Sequence, residues 1–316
     1  MLSRTADDLY WMARYLERAE NLARTLDVSY SLSLMPQGGS GDGLEELTMP
    51  LRITGTIDRY LEKHGRLQVE RMLHFFALDQ ENPSSLYNCL NAARSSAHAV
   101  RGRITADMWE NINATWLEMR GIAEKGLGHY GGISRFCDWV KERAHLFRGA
   151  TEGTIMRSDA YYFIRLGTFI ERSDNTLRLL DSRYELLGED EDPDDRSARA
   201  YYQWSALLRA LSSFEAFAEL YRGSPRARKV AELLLLRPEV PRSLGCCLGE
   251  IQKILASLPG DNGRPAQRLA AELDARIRYT VVDEVFEQGL HDWVTGAIDQ
   301  VRDLGNAIHS AYLEAA

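Results

Sequence analysis

Nine side chains stand at spacings that set them on the polar faces of two helices. They are Arg14, Glu17, Arg18, Asn21 and Arg24, then Glu171, Arg172, Asn175 and Arg178. Three chemistries fit such a set. Glu17 and Glu171, if they face one another, can share a proton and do general acid–base work. The arginines can grip a carboxylate or a phosphate through paired hydrogen bonds. The plain alternative is structural ion pairing, because Glu17 has Arg18 at i+1 and Arg24 at i+7, and Glu171 has Arg172 and Arg178 likewise. Solvated pairs of this kind contribute about 0.2–1 kcal/mol each.

Other chemistry finds less support. There is no Gly-x-Ser-x-Gly nucleophile turn. Cys89, Cys137, Cys246 and Cys247 show no Cys-x-x-Cys spacing, and they read as reduced, buried thiols. Glu142-Arg-Ala-His145 has the Glu-x-x-His spacing of di-iron bundles, but it occurs once where two copies are needed. Glu70/His74, Glu287/His291 and Asp138/Glu142 read as ordinary helix pairs. Neither a metal nor a cofactor is expected. The glycine run PQGGSGDG follows a helix and lacks the Lys-Ser/Thr of a phosphate loop, so it reads as a flexible connection. Arg94, His98 and Arg101 form a second basic face that reads as solvated surface, and the six tryptophans read as packing residues.

The helices that carry the nine residues are the organising feature of the chain. Leu9–Asp27 reads LYWMARYLERAENLARTLD, and Phe163–Asp181 reads FIRLGTFIERSDNTLRLLD. Glu17, Arg18, Asn21, Arg24, Leu26 and Asp27 meet Glu171, Arg172, Asn175, Arg178, Leu180 and Asp181 at a shift of 154, and Glu20 meets Asp174. At about 100° per residue, Asn21 and Arg24 fall within roughly 40° of Glu17. Met12, Tyr15, Leu16, Ala19, Leu22, Ala23 and Leu26 cover the other side, as in an amphipathic helix. A second block repeats as well: PSSLYNCL at Pro83 matches PRSLGCCL at Pro241, at a shift of 158. Two blocks sharing one period indicate an internal duplication. The expected fold is all-α, a helical bundle of two tandem pseudo-two-fold repeats, 1–154 and 155–316, packed as a single body. In that arrangement Glu17 and Glu171 are expected to be buried, each near an arginine of another helix, lining a shared polar cleft.

Along the chain, Thr5 is expected to cap a first helix reaching Met35. Helices follow near Leu44–Lys63, Arg66–Leu78, from Ser84 or Ser85 to Arg103, from Thr105, and again to Arg148. Gly149–Ser158 reads as a polar loop before the second copy, whose long helix ends at Gly188. Further helices are expected at Arg196–Arg222, Pro225–Leu236, Ser243–Ser257, Pro265–Gln288 and Leu290–Glu314, with TVVDEVF as the one segment that could pass for a strand. The most mobile segments are expected to be PQGGSGDG and GEDEDPDD.

Composition narrows the class. The chain has 316 residues and is 45% hydrophobic, enough for a large core. No run of about 18 uncharged apolar residues is present, and MLSRTADDLYW lacks a signal-peptide pattern, so a cytoplasmic protein is expected. The net charge of −8 argues against nucleic acid as a partner. Six acids in Glu189–Asp195 supply most of that charge, so it says nothing of cationic substrates.

The blocks MLSRTADDLYWMARYLERAENLARTL, NAARSSAHAVRGRITADMWENIN and GTIMRSDAYYFIRLGTFIERSDNTLRLL together resemble the bacterial alpha-E domain proteins over nearly the whole chain. The resemblance implies an all-helical protein whose motif glutamate is matched by Glu17, with Glu171 in the second copy. It also implies a setting. Such proteins are encoded with, or fused to, circularly permuted ATP-grasp ligases, and transglutaminase-like proteins recur beside them. The expected role is a helical accessory or co-catalytic partner of an amide- or peptide-forming ligase, binding the ligase, a peptide or an amino-acid substrate. A stand-alone enzyme using Glu17 and Glu171, or a purely structural scaffold, are the alternatives. The copies differ at Trp11 and Arg14, which meet Arg165 and Thr168, so a symmetric role at those positions is not implied.

Overall fold

A computed structural model describes residues 1–34, 44–187, 198–259 and 261–314. The segments PQGGSGDG and GEDEDPDD lie outside the described residues. Sixteen α-helices and no strand are present among the described residues. None of these helices is long and apolar enough to cross a membrane.

The helices divide between two compact units, Met1 with Asp8–Gly167 and Leu2–Asp7 with Thr168–Ala316. The first carries α1 (Ser3–Ser33), α2 (Leu44–Thr54), α3 (Ile57–His64), α4 (Val69–Ala77), α5 (Leu86–Ala99), α6 (Ala106–Lys125), α7 (Leu127–Tyr130) and α8 (Ile133–Thr154). Then come α9 (Asp159–Leu187), α10 (Ala198–Ala210), α11 (Phe214–Leu220), α12 (Ala227–Leu236), α13 (Leu244–Ser257), α14 (Arg264–Tyr279), α15 (Val282–Gln288) and α16 (Leu290–Ile308). The boundary at Gly167 falls inside α9.

α1 is buried on more than the apolar stripe. Leu9, Met12, Leu16, Ala19, Leu22, Ala23 and Leu26 are in the core, and so are Glu17, Glu20 and Asn21 from the polar side. Tyr15, expected in the core, is half-buried between the Trp11 ring and the Arg18 guanidinium. In the first unit α5 packs on α6 and α6 on α8; in the second α13 packs on α14 and α14 on α16. Ser85 caps α5 by accepting from the Asn88 N–H, and Ser243 caps α13 by accepting from the Cys246 N–H. Each such cap is worth about 1 kcal/mol.

Several boundaries differ from the sequence expectation. Thr5 is not the cap of α1; its N–H and that of Ala6 already bond to the Leu2 carbonyl, so the helix starts at Ser3. The span expected as one helix from Leu44 breaks at Gly55, whose φ of 62° is left-handed. The span from Arg196 breaks at Ser212, a non-glycine residue at φ 51°, where strain costs about 1–3 kcal/mol. α14 and α15 part at Thr280 and Val281, whose extended backbones end one helix and start the next. TVVDEVF is therefore not a strand: α15 runs through Val282–Gln288, with Glu284 Oε2 accepting from the Val281 N–H. Finally, α8 continues through Thr154 where a loop was expected from Gly149. Thr151 and Thr154 donate to the carbonyls of Phe147 and Ala150 one turn back, so the hydroxyls are satisfied without leaving the helix.

Candidate functional site

The first unit builds a cluster between α1 and α8. Glu20 is fully buried and Glu17 is 3% exposed. Arg24, one turn on from Glu20, donates to Glu20 Oε1 from Nε at 3.0 Å and from Nη2 at 2.9 Å. Arg148 on α8 donates from Nη2 to Glu20 Oε2 and lies 3.4 Å from Glu17 Oε2. His145 Nε2 stands 3.0 Å from Arg24 Nη2 and 3.4 Å from Glu20 Oε1. A guanidinium only donates, so Nε2 is the acceptor in that contact. At the far end Lys141 Nζ reaches Asp27 Oδ2 at 3.0 Å and Asp138 Oδ1 at 2.7 Å. Burial pulls the Lys141 ammonium down, but its two carboxylate partners outweigh that and hold it above its ordinary value.

The spacing explains the assembly. Lys141, His145 and Arg148 stand at i, i+4 and i+7, so they share one stripe of α8. Ascending that stripe meets Asp27, then Arg24 and Glu20, then Glu17, which places the two helices antiparallel. Two carboxylates thus meet two guanidiniums, and the imidazole lone pair is held by Arg24. Both oxygens of Glu20, Glu17 Oε2 and His145 Nε2 each face a guanidinium.

The other candidate residues are placed as follows. Arg14 lies over the rings of Trp11 and Tyr10, with Cζ 4.8 Å and 5.6 Å from their centroids, and Arg18 lies over Tyr15. Asn21 is buried. In the second unit Glu171 and Arg172 are buried, and Arg172 Nη1 donates to the Pro241 carbonyl at 3.2 Å. Thr176, one turn on, donates to the Arg242 carbonyl. These bonds fasten α9 to the loop that leads into the Ser243 cap, so the two repeated sequence blocks touch here. Asn175 is half-buried, with Nδ2 enclosed and without a hydrogen bond to the described residues. Arg178 is tied to Asp174 on its own helix at 2.8 Å.

His145, Arg148 and Lys141 were absent from the sequence-derived set, although the stripe they form was readable in KERAHLFR. His98, Arg94 and Arg101 gather around the ring of Trp109. Cys89, Cys137 and Cys247 are buried, none of the four cysteines is in a disulfide, and burial drives the Cys137 thiol up, away from nucleophilic use.

A family model described as "Alpha-E: a predicted alpha-helical domain with a conserved ER motif" matches residues 1–313. The chain belongs to the Alpha-E family. Glu-Arg steps occur at 17–18, 70–71, 142–143 and 171–172, and the first and last are in register with one another in the internal repeat. The chain is 25% identical to "Uncharacterized protein Rv2567" of Mycobacterium tuberculosis and equally to "Uncharacterized protein Mb2597" of Mycobacterium bovis. Each match covers 98% of this chain and 37% of the relative, so the chain spans little more than a third of their length. No solved structure matches the chain.

Proposed function

We propose that this chain is a helical accessory module of an ATP-grasp amide or peptide ligase system, and that it supplies binding surface rather than the reacting base. The observation that carries the non-catalytic part is the closure of the α1–α8 cluster. Glu17 and Glu20 are engaged by Arg148 and Arg24, and the lone pair of His145 is engaged by Arg24. A general base needs an acceptor within reach of a substrate proton, and here Glu17 Oε2, both oxygens of Glu20 and His145 Nε2 already face a guanidinium. The length of the mycobacterial relatives supports the accessory part, since the matching segment stands there beside further polypeptide. Arg14, Arg18, Arg172 and Arg178 are the groups that would meet a carboxylate on a peptide, an amino acid or the ligase itself.

The same reading takes the chain as a duplication of one eight-helix unit. α5 begins at Leu86 and α13 at Leu244, α6 at Ala106 and α14 at Arg264, each pair 158 residues apart. The paired caps at Ser85 and Ser243 and the paired breaks at Gly55 and Ser212 support it. Unpaired cysteines suit a reducing, cytoplasmic setting.

The test is to purify the chain with and without an ATP-grasp ligase of the same organism and to follow ATP hydrolysis and amide formation. The expected result is a stable complex, no turnover by the chain alone, and faster amide formation when it is added. Turnover by the isolated chain that Glu17→Gln abolishes would overturn the accessory reading in favour of a stand-alone enzyme.

A further inference from the structure

We propose that Asp181, Glu185 and His291 form a mononuclear site for a divalent transition metal, zinc first, in the second unit. The sequence carries no sign of it, because 110 residues separate Asp181 from His291. The fold brings them together. Asp181 and Glu185 are one turn apart on α9 and share a face, and His291 is the second residue of α16. His291 Nδ1 lies 2.7 Å from Asp181 Oδ1 and 3.8 Å from Glu185 Oε1. One donor atom from each of the three lies within 4.8 Å of the others, a set that no other His, Cys, Asp or Glu trio matches among the described residues.

A helix staple needs only one carboxylate for the imidazole. Here a second carboxylate, Glu185, lies 3.8 Å from the same nitrogen, and a cation shared by the two carboxylates lowers their mutual repulsion. A divalent ion resolves the arrangement: the two carboxylates balance its charge, and it takes the place of the proton shared by Nδ1 and Oδ1, which leaves to solvent. One imidazole nitrogen with two carboxylate oxygens suits zinc, and after it manganese, rather than calcium, which takes oxygen ligands alone. Three protein ligands leave a coordination position open. A cavity of about 380 Å³, whose lining includes Tyr184, Arg228, Asp283 and Leu290, begins one residue along the chain from Glu185 and from His291. Among its described residues the first unit carries nothing comparable. There Asp27, the repeat partner of Asp181, meets the Lys141 ammonium, and the position matching Glu185 is Ser31.

The full chain, stripped with a chelator, is dialysed against zinc chloride and in parallel against manganese chloride, and bound metal is counted by mass spectrometry. One equivalent of zinc and a raised Tm are expected. His291→Ala and Asp181→Asn should each weaken zinc binding more than about tenfold, while His309→Ala should leave it unchanged. Modification of histidines by diethyl pyrocarbonate, mapped on the unaltered chain, provides a reading free of folding defects: zinc should protect His291. Binding well below one equivalent, equal binding by His291→Ala, or modification of His291 unaffected by zinc would each overturn the site and leave a plain His–Asp staple.

Discussion

Arg148 of α8 reaches Glu20 of α1, 128 residues away, and the carboxylate it meets is fully buried. A buried carboxylate deprived of its cation costs about 3–5 kcal/mol, whereas the intact pair against an apolar replacement gains little. Arg148→Ala should therefore destabilise the chain by the lower end of that range, since Arg24 remains on Glu20 Oε1. Glu20→Gln should weaken it similarly, because Gln cannot compensate two guanidiniums. A double variant, Glu20→Gln with Arg148→Ala, should lose less than the sum of the two single changes. Urea unfolding of the four proteins checks this, and strict additivity would remove the coupling.

Gly167 of α9 lies against α1. A Cβ built there would stand 2.3 Å from the Tyr10 carbonyl oxygen and 3.1 Å from its carbon, both backbone atoms that cannot swing away. Gly167→Ala should cost about 1–3 kcal/mol as an overpacked contact. Gly149 offers the contrast, since it lies inside α8 with nothing within 4 Å of its Cβ direction. Gly149→Ala should stabilise by about 0.5–1 kcal/mol through helix propensity alone. Tm values of opposite sign relative to the unaltered chain are expected; a stabilised Gly167→Ala would show that the helices can separate at no cost.

These contrasts mark what the sequence can convey. Helical periodicity and the Ser85 and Ser243 caps were legible because they depend on neighbours within four residues. The breaks at Gly55, Ser212 and Thr280 were not, because each is a backbone turn inside a stretch that keeps its apolar period. The polar face of α1 was legible as a pattern, and its partner stripe on α8 was in plain view as Lys141, His145 and Arg148. Their meeting was not legible: it depends on which helix packs beside which. The same holds for Asp181 and His291, whose separation in the chain hides a distance of 2.7 Å.

The caps make a matched pair. Ser85 and Ser243 are both buried, hold nearly the same backbone angles, and each accepts from the N–H three residues on. Ser85→Ala and Ser243→Ala should each cost about 0.5–2 kcal/mol. Ser243 should show the larger loss, because its hydroxyl also donates to the part-buried Arg237 carbonyl at 2.5 Å, which would keep only the bond from the Val240 N–H. Guanidinium unfolding midpoints measure both; a loss confined to Ser85→Ala would contradict the added bond.

Lys63 and Asp79 form one pH-sensitive pair in the first unit. Lys63 Nζ lies 2.8 Å from Asp79 Oδ2 and 2.6 Å from Glu81 Oε2. Burial pushes the Asp79 carboxyl up, but the Lys63 ammonium and the Glu81 N–H outweigh it and hold it below its ordinary value of 3.8. The hydrogen bonds that the Lys63 ammonium donates to Asp79 and Glu81 hold it above its ordinary 10.5. The signs then follow. A lowered carboxyl contributes stability that is fully present above 3.8 and is lost as pH falls through its folded value. A raised ammonium contributes stability that is fully present below 10.5 and is lost as pH rises through its folded value. The pair therefore contributes in full between those limits. The stability gap between the unaltered chain and Asp79→Asn should be flat from about pH 5 to 9 and close in stronger acid. Lys63→Met should show the alkaline counterpart, with its gap closing as the ammonium titrates. Thermal melts across that range decide the matter: a gap that widens in acid would mean that Asp79 is destabilising when ionised, and that burial rather than Lys63 governs it.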